Sequence, residues 1–153
     1  MFSQLFGKYL VDNKVITKEQ LDEVISKMEN VRAKLGFIAV SEGILTKEKA
    51  EEINILQTQK DAKFGDIAVE EGYITKEQLE DMLDKQGSTY IKFMQVLEEV
   101  SGLLQNEIET HIEEFRKNIG FAPEELEALK NDDIDKIVPM FALSLIHISE
   151  PTR

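Results

Sequence analysis

Two short strings recur along this chain at a fixed spacing, and that spacing limits what it can fold into. Phe6-Gly7, Leu35-Gly36 and Phe64-Gly65 lie 29 residues apart, as do Ile16-Thr17-Lys18-Glu19, Leu45-Thr46-Lys47-Glu48 and Ile74-Thr75-Lys76-Glu77. Leu21, Ala50 and Leu79 keep the same step, followed by Ile25, Asn54 and Leu83. One step further lie Phe93, Ile108 and Ile112, so residues 90–118 read as a degenerate fourth copy with Met94 in the glycine position. A period of this size marks a supersecondary unit that cannot bury its apolar face alone and must stack on neighbouring copies.

Each copy reads as a short helix, a tight turn and a longer helix. The first helix of copy two is apolar at Leu35, Ile38, Ala39 and Val40 and stops at Gly43, a residue that takes the left-handed conformation at little cost. The second helix of copy three opens with Thr75 as N-cap and Gln78 three residues on, a capping box, with Ile74 and Leu79 as a hydrophobic staple. Thr17, Gln20, Ile16 and Leu21 repeat the device in copy one. Leu79, Met82 and Leu83 then mark one face of a 3.6-residue period. The expected fold is all-α: tandem helix-turn-helix repeats over residues 1–118, three clear copies and one worn.

Residues 119–142 read as a linker and the start of a following domain, with a short helix Pro123–Lys130 after a break at Gly120. The last eleven residues, Leu143 to Arg153, resemble the in-frame translation of a transposase sequencing adapter. On that reading residues 143–153 are an adapter-derived tail and the natural frame continues past Ala142. Glu150 and Arg153 cancel, so residues 1–142 keep the whole chain's formal charge of -12.

That charge, from 30 acidic against 18 basic side chains, argues against a nucleic-acid polymer as partner, because phosphates demand a basic footprint. No apolar run approaches the ~18 residues of a membrane span, and the start of the chain shows no secretory signal. Zero Cys excludes disulfides, thiolate metal sites and thiol chemistry, and fits a cytoplasmic setting. Once the tail is set aside, His111 is the one histidine. The Glu-x-x-His spacing of a di-iron bundle needs an acid at position 108, which is Ile108. Asn131, Asp133 and Asp135 open like a calcium loop, but Lys136 and Ala142 stand where its glycine and closing glutamate belong. No Gly-rich phosphate loop is present. No catalytic residue, metal site or cofactor is therefore expected within this chain.

The pattern of Leu-Gly, two aliphatics, Gly, two aliphatics, four polar residues, Leu and a closing Gln resembles a known module. It is similar to the N-terminal domain of type II secretion and type IV pilus assembly ATPases, the GspE/MshE N-terminal domain. Copy three matches best, with Lys63-Phe64-Gly65, Ala68-Val69, Gly72-Tyr73-Ile74, Leu79, Leu83 and Gln86. Copy two follows with Lys34-Leu35-Gly36, Ala39-Val40, Gly43, Ala50 and Gln57, and departs at Asn54. Copy one lacks the leading cation (Leu5), the second glycine (Lys14) and the closing Gln (Met28).

Some members of that family bind cyclic di-GMP through two tandem copies. The resemblance implies a ligand site at Lys34, Leu35, Gly36, Gly43 and Gln57 of copy two, and at Lys63, Phe64, Gly65, Gly72 and Gln86 of copy three. Binding members open each motif with Arg, whose guanidinium grips phosphate as a fork and stacks on a base; Lys neutralises phosphate without the fork. Arg32, two residues before Lys34, is the nearby guanidinium. Packing and capping account equally well for Gly36, Gly43, Gly65 and Gly72, and solvated helix faces for Gln57 and Gln86.

A looser resemblance, carried by Met1-Phe2-Ser3-Gln4, Leu56-Gln57-Thr58-Gln59 and the stretch from Asn131 to Pro139, is to proteins in which this module precedes a CheX-type chemotaxis phosphatase domain. It implies a protein partner, either a response regulator or the chain's own C-terminal domain. Three readings follow: a non-catalytic regulatory or docking module of a chemotaxis-related signalling protein, a cyclic-dinucleotide sensor, and the N-terminal module of a secretion or pilus ATPase.

Overall fold

The computed structural model describes residues 2–133 and 135, and over these the chain is all-helical. The helices are α1 (Phe2–Asp12), α2 (Lys18–Met28), α3 (Leu35–Ser41), α4 (Lys47–Lys60), α5 (Phe64–Glu70), α6 (Lys76–Asp84), α7 (Thr89–Ser101), α8 (Gln105–Ile119) and α9 (Pro123–Lys130), with a 3-10 turn at Lys85–Gly87. The pairs α1/α2, α3/α4, α5/α6 and α7/α8 coincide with the four copies read from the sequence. The adapter-like tail 143–153 lies outside the described residues, as does all of the expected domain start beyond residue 133 except Asp135.

The turn between paired helices is the same object three times. The N–H groups of Val15, Ile44 and Tyr73 each donate to the carbonyl five residues earlier (Leu10, Ala39 and Ala68) at 2.9 Å. Such a turn needs one residue in the left-handed region, filled by Gly43 (φ 73°), Gly72 (φ 79°) and, in copy one, Lys14 (φ 60°). The lost glycine of copy one has therefore not changed the geometry. Thr17 and Thr75 form full capping boxes with Gln20 and Gln78, each by bonds of 3.1 and 2.9 Å. Thr46 caps through its hydroxyl alone, accepting from Lys49 N–H at 3.2 Å, because position 49 is not an acceptor. Copy four keeps the other half: Glu107 accepts the Leu104 N–H at 2.9 Å although no threonine is there.

The copies do not all stack in sequence order. Copies two and three pair around one core, with Ile38, Ala39, Ile53, Phe64, Ile67, Ala68 and Met82 buried together. Copy one, expected beside copy two, instead packs on copy four: Phe2, Phe6, Leu10 and Val24 share a second core with Phe93, Met94, Leu97, Ile108 and Phe115. The aromatic rings explain the choice. Phe6 meets Phe93 and Phe115 edge-on at centroid separations of 6.3 and 5.5 Å, and Phe2 meets Tyr90 at 5.1 Å, favourable geometries for ring quadrupoles. Phe37 and Tyr90 pack against both cores and tie them into one body.

Residues 119–130 correct the linker expectation. Gly120 ends α8 in the left-handed conformation, as read, but Phe121, Leu126, Ala128 and Leu129 are buried in the core shared by copies one and four. Helix α9 packs its apolar face onto the repeat domain.

Candidate functional site

One position of the repeat decides where the molecule is open. In copies one and three a leucine of the second helix lies over the glycine of the first: a methyl added at Gly7 or Gly65 would sit 2.5 Å from Leu21 Cδ1 or 2.6 Å from Leu79 Cδ1. Copy two has Ala50 in that place. The ring of Phe64 partly fills the space, its Cε2 3.3 Å from where a methyl on Gly36 would lie, and the Ala50 methyl stands back at 3.9 Å. Four residues on, the aliphatic Ile25 and Leu83 correspond to Asn54, which is exposed. The space left by the smaller Ala50 and Asn54 forms part of a groove of about 820 Å³.

The groove floor is Leu35, Gly36, Phe37, Val40, Ala50 and Phe64, from copies two and three. The facing wall belongs to copy four: Gln95, Glu98 and Glu99 on α7, and Leu104, Gln105 and Asn106 where α8 begins. Five charged side chains border it, two of them cationic (Lys34 and Lys47) and three anionic (Glu51, Glu98 and Glu99). Burial pushes the Glu98 carboxyl above the usual carboxylate range; Lys47 pulls the other way and Glu99 adds to the rise. The Gln105 Nε2 is buried with no hydrogen-bond partner among the described residues, an arrangement that leaves a donor unsatisfied.

Gln95 joins the two sides. It is the buried polar residue of the core region, 5% exposed, and its Oε1 accepts the backbone N–H of Lys34, the N-cap residue of α3, at 2.8 Å. Its Nε2 reaches the Arg32 carbonyl at 3.5 Å. The start of the copy-two motif is thus held by a side chain of copy four.

Of the ten residues expected at a ligand site, Lys34, Leu35, Gly36, Gln57 and Phe64 border this groove. The other five lie elsewhere, each for a local reason. Gly43 and Gly72 are turn residues with nothing within 4 Å of an added methyl. Lys63 is the exposed N-cap residue of α5, and Gly65 is covered by Leu79. Gln86 is half-buried and donates through Nε2 to the Ala33 carbonyl at 3.1 Å, while its own carbonyl accepts the Ala33 N–H at 3.4 Å. The two motifs therefore do not contribute equal halves of one groove. The copy-four wall was missed because residues 90–118 lack the glycine and threonine signals; a glutamine at position 95 among apolar α7 residues was the available clue.

A second groove, about 1040 Å³, lies between the 3-10 turn, α8 and α9. Its charges largely answer one another: Lys85 pairs with Glu42 at 3.0 Å, Lys130 with Glu127 at 3.3 Å, and Arg116 with Glu113. His111 is half-buried, with Nδ1 3.6 Å from Glu114. Among the described residues no group of three or more His, Asp and Glu is placed to hold a metal ion, and no helix is long and apolar enough to cross a membrane. Comparison of the chain with family models, curated proteins and solved structures gives no match.

Proposed function

We propose that this chain is a non-catalytic docking and regulatory module of a cytoplasmic bacterial signalling protein, chemotaxis-related, with the copy-two groove as its recognition surface. The observation that carries the reading is the local departure from the repeat. Ala50 and Asn54 stand where the other clear copies have large aliphatic side chains, and they open an apolar floor bordered by amides and carboxylates. Such a mixture suits a polypeptide segment, which offers apolar side chains and backbone carbonyls together.

The cyclic-dinucleotide alternative draws support from Lys34 and the Leu35-Gly36 backbone at the groove edge. It has to place a dianion beside three glutamates with only two lysines to offset them. The secretion-ATPase alternative shares the same repeat fold and has no separate support from the groove.

The test is calorimetric titration of the 153-residue chain with purified response-regulator receiver domains and, separately, with cyclic di-GMP at about 100 μM. Filling the groove with Ala50→Leu plus Asn54→Leu is the control. Receiver binding that this control removes supports docking. Nucleotide binding that Lys34→Ala plus Lys63→Ala weakens, with no receiver binding, replaces docking by the sensor reading.

A further inference from the structure

We infer that the copy-two groove receives a peptide segment of a partner protein that sets a lysine or arginine between apolar side chains. This rests on the docking reading and goes further in naming the chemistry of the guest.

The difference between the two grooves is the starting point. In the groove beside α9, most carboxylates already hold a cation of the same molecule. In the copy-two groove, Glu51, Glu98 and Glu99 border an apolar floor, and none has an ion-pair partner within 4 Å among the described residues. Lys47 offsets part of the burial cost of Glu98 without forming an ion pair within 4 Å, and Glu99 adds to that cost. Glu98 is the half-buried one of the three, and a carboxylate there without a cation is costly, since burial removes the water that stabilised its charge; Glu51 and Glu99 are exposed and add negative charge at the rim. A guest cation restores that loss, whereas an anionic guest deepens it.

Two further features fit a peptide rather than a free amine. Gln105 Nε2 is a buried donor lacking an acceptor among the described residues, and a backbone carbonyl laid along the wall supplies one. Phe37, Phe64 and Leu104 offer apolar surface for the side chains flanking the cation, and Leu104 is 49% exposed, a large apolar residue left in water. The chain's net charge of -12 adds long-range attraction for a basic segment.

The experiment uses two dye-labelled heptapeptides that alternate leucine with lysine or leucine with glutamate, titrated with the 153-residue chain in 150 mM salt and read by fluorescence anisotropy. The expected result is at least tenfold tighter binding of the lysine peptide. Glu98→Gln plus Glu99→Gln, which leaves the apolar floor intact, should remove that preference, and Ala50→Leu plus Asn54→Leu should remove the binding. Equal binding of the two peptides, preference for the glutamate peptide, or binding that survives both variants overturns the inference. Should the groove-filled variant fail to fold by circular dichroism, the glutamine pair decides alone. Receiver-domain binding that is lost on groove filling but unchanged in the glutamine pair would leave docking standing and remove only the basic-segment claim.

Discussion

Replacing Gln95 by alanine tests how copies two and four are joined. The side chain is 5% exposed and accepts the Lys34 N–H at 2.8 Å. Its removal leaves that N–H without its acceptor, at a cost of about 1–3 kcal/mol. One buried methylene, Cγ, is lost as well, about 0.8 kcal/mol. Against this, a glutamine no longer has to be fixed in one rotamer, which returns up to about 1.5 kcal/mol. The last two contributions offset one another to within about 1 kcal/mol, so the expected loss is about 2 kcal/mol, dominated by the orphaned donor. Urea unfolding followed by far-ultraviolet circular dichroism reads it as a lower midpoint with an unchanged slope. Gln95→Leu keeps the burial but not the acceptor, so it should fall by a similar amount. If both variants stay within about 0.5 kcal/mol of the parent, the range of ordinary surface substitutions, the Lys34 N–H is satisfied without Gln95 and the reasoning fails.

Three more outcomes follow from the geometry. Lys14 holds φ 60° where copies two and three use glycine, so Lys14→Gly should raise stability by about 0.5–1 kcal/mol and Gly43→Ala should lower it by about 1; opposite shifts in thermal midpoint are the readout. Thr75→Ala removes the hydroxyl half of a complete capping box and should cost about 1 kcal/mol, measured by the same urea midpoint. Burial raises the Tyr90 hydroxyl pKa well above its ordinary value, helped by Glu109 and Glu127. Because the folded value exceeds the unfolded one, the stability it contributes is full below pH ~10 and is lost as pH rises through the folded value. A titration followed at 295 nm, compared with that of Tyr90→Phe, should show Tyr90 ionising above its ordinary range and in step with unfolding; ionisation of Tyr90 near its ordinary value in the folded protein would contradict its burial.

Local structure was readable because it is written in short-range chemistry. Thr17, Thr75, Gly43 and Gly72 specify caps and turns through bonds spanning three to five residues, and the structure has them where the pattern placed them. Pro123 and Gly120 likewise bounded α9 and α8. The pairing of copies was not readable, since every copy carries an apolar face of the same period and nothing local says which partner it will meet. Phe2, Phe93 and Phe115 decide it together, from distant parts of the chain. The groove was half legible: Asn54 was a visible departure, but that Ala50 mattered depended on Leu21 and Leu79 lying over glycines. The charged wall of copy four became visible only after α7 and α8 were placed beside α3.

The pairing of copy one with copy four changes how such a domain can be made and shortened. In an open solenoid a terminal repeat can be removed and the remainder keeps its contacts. Here Phe2, Phe6 and Leu10 leave the ribosome about a hundred residues before Ile108, Ile112 and Phe115, with which they share a core. At 5–20 residues per second that wait lasts roughly 5–20 s. The inner pair, whose contacts are closer in sequence, has the means to form meanwhile and hold the two ends near one another.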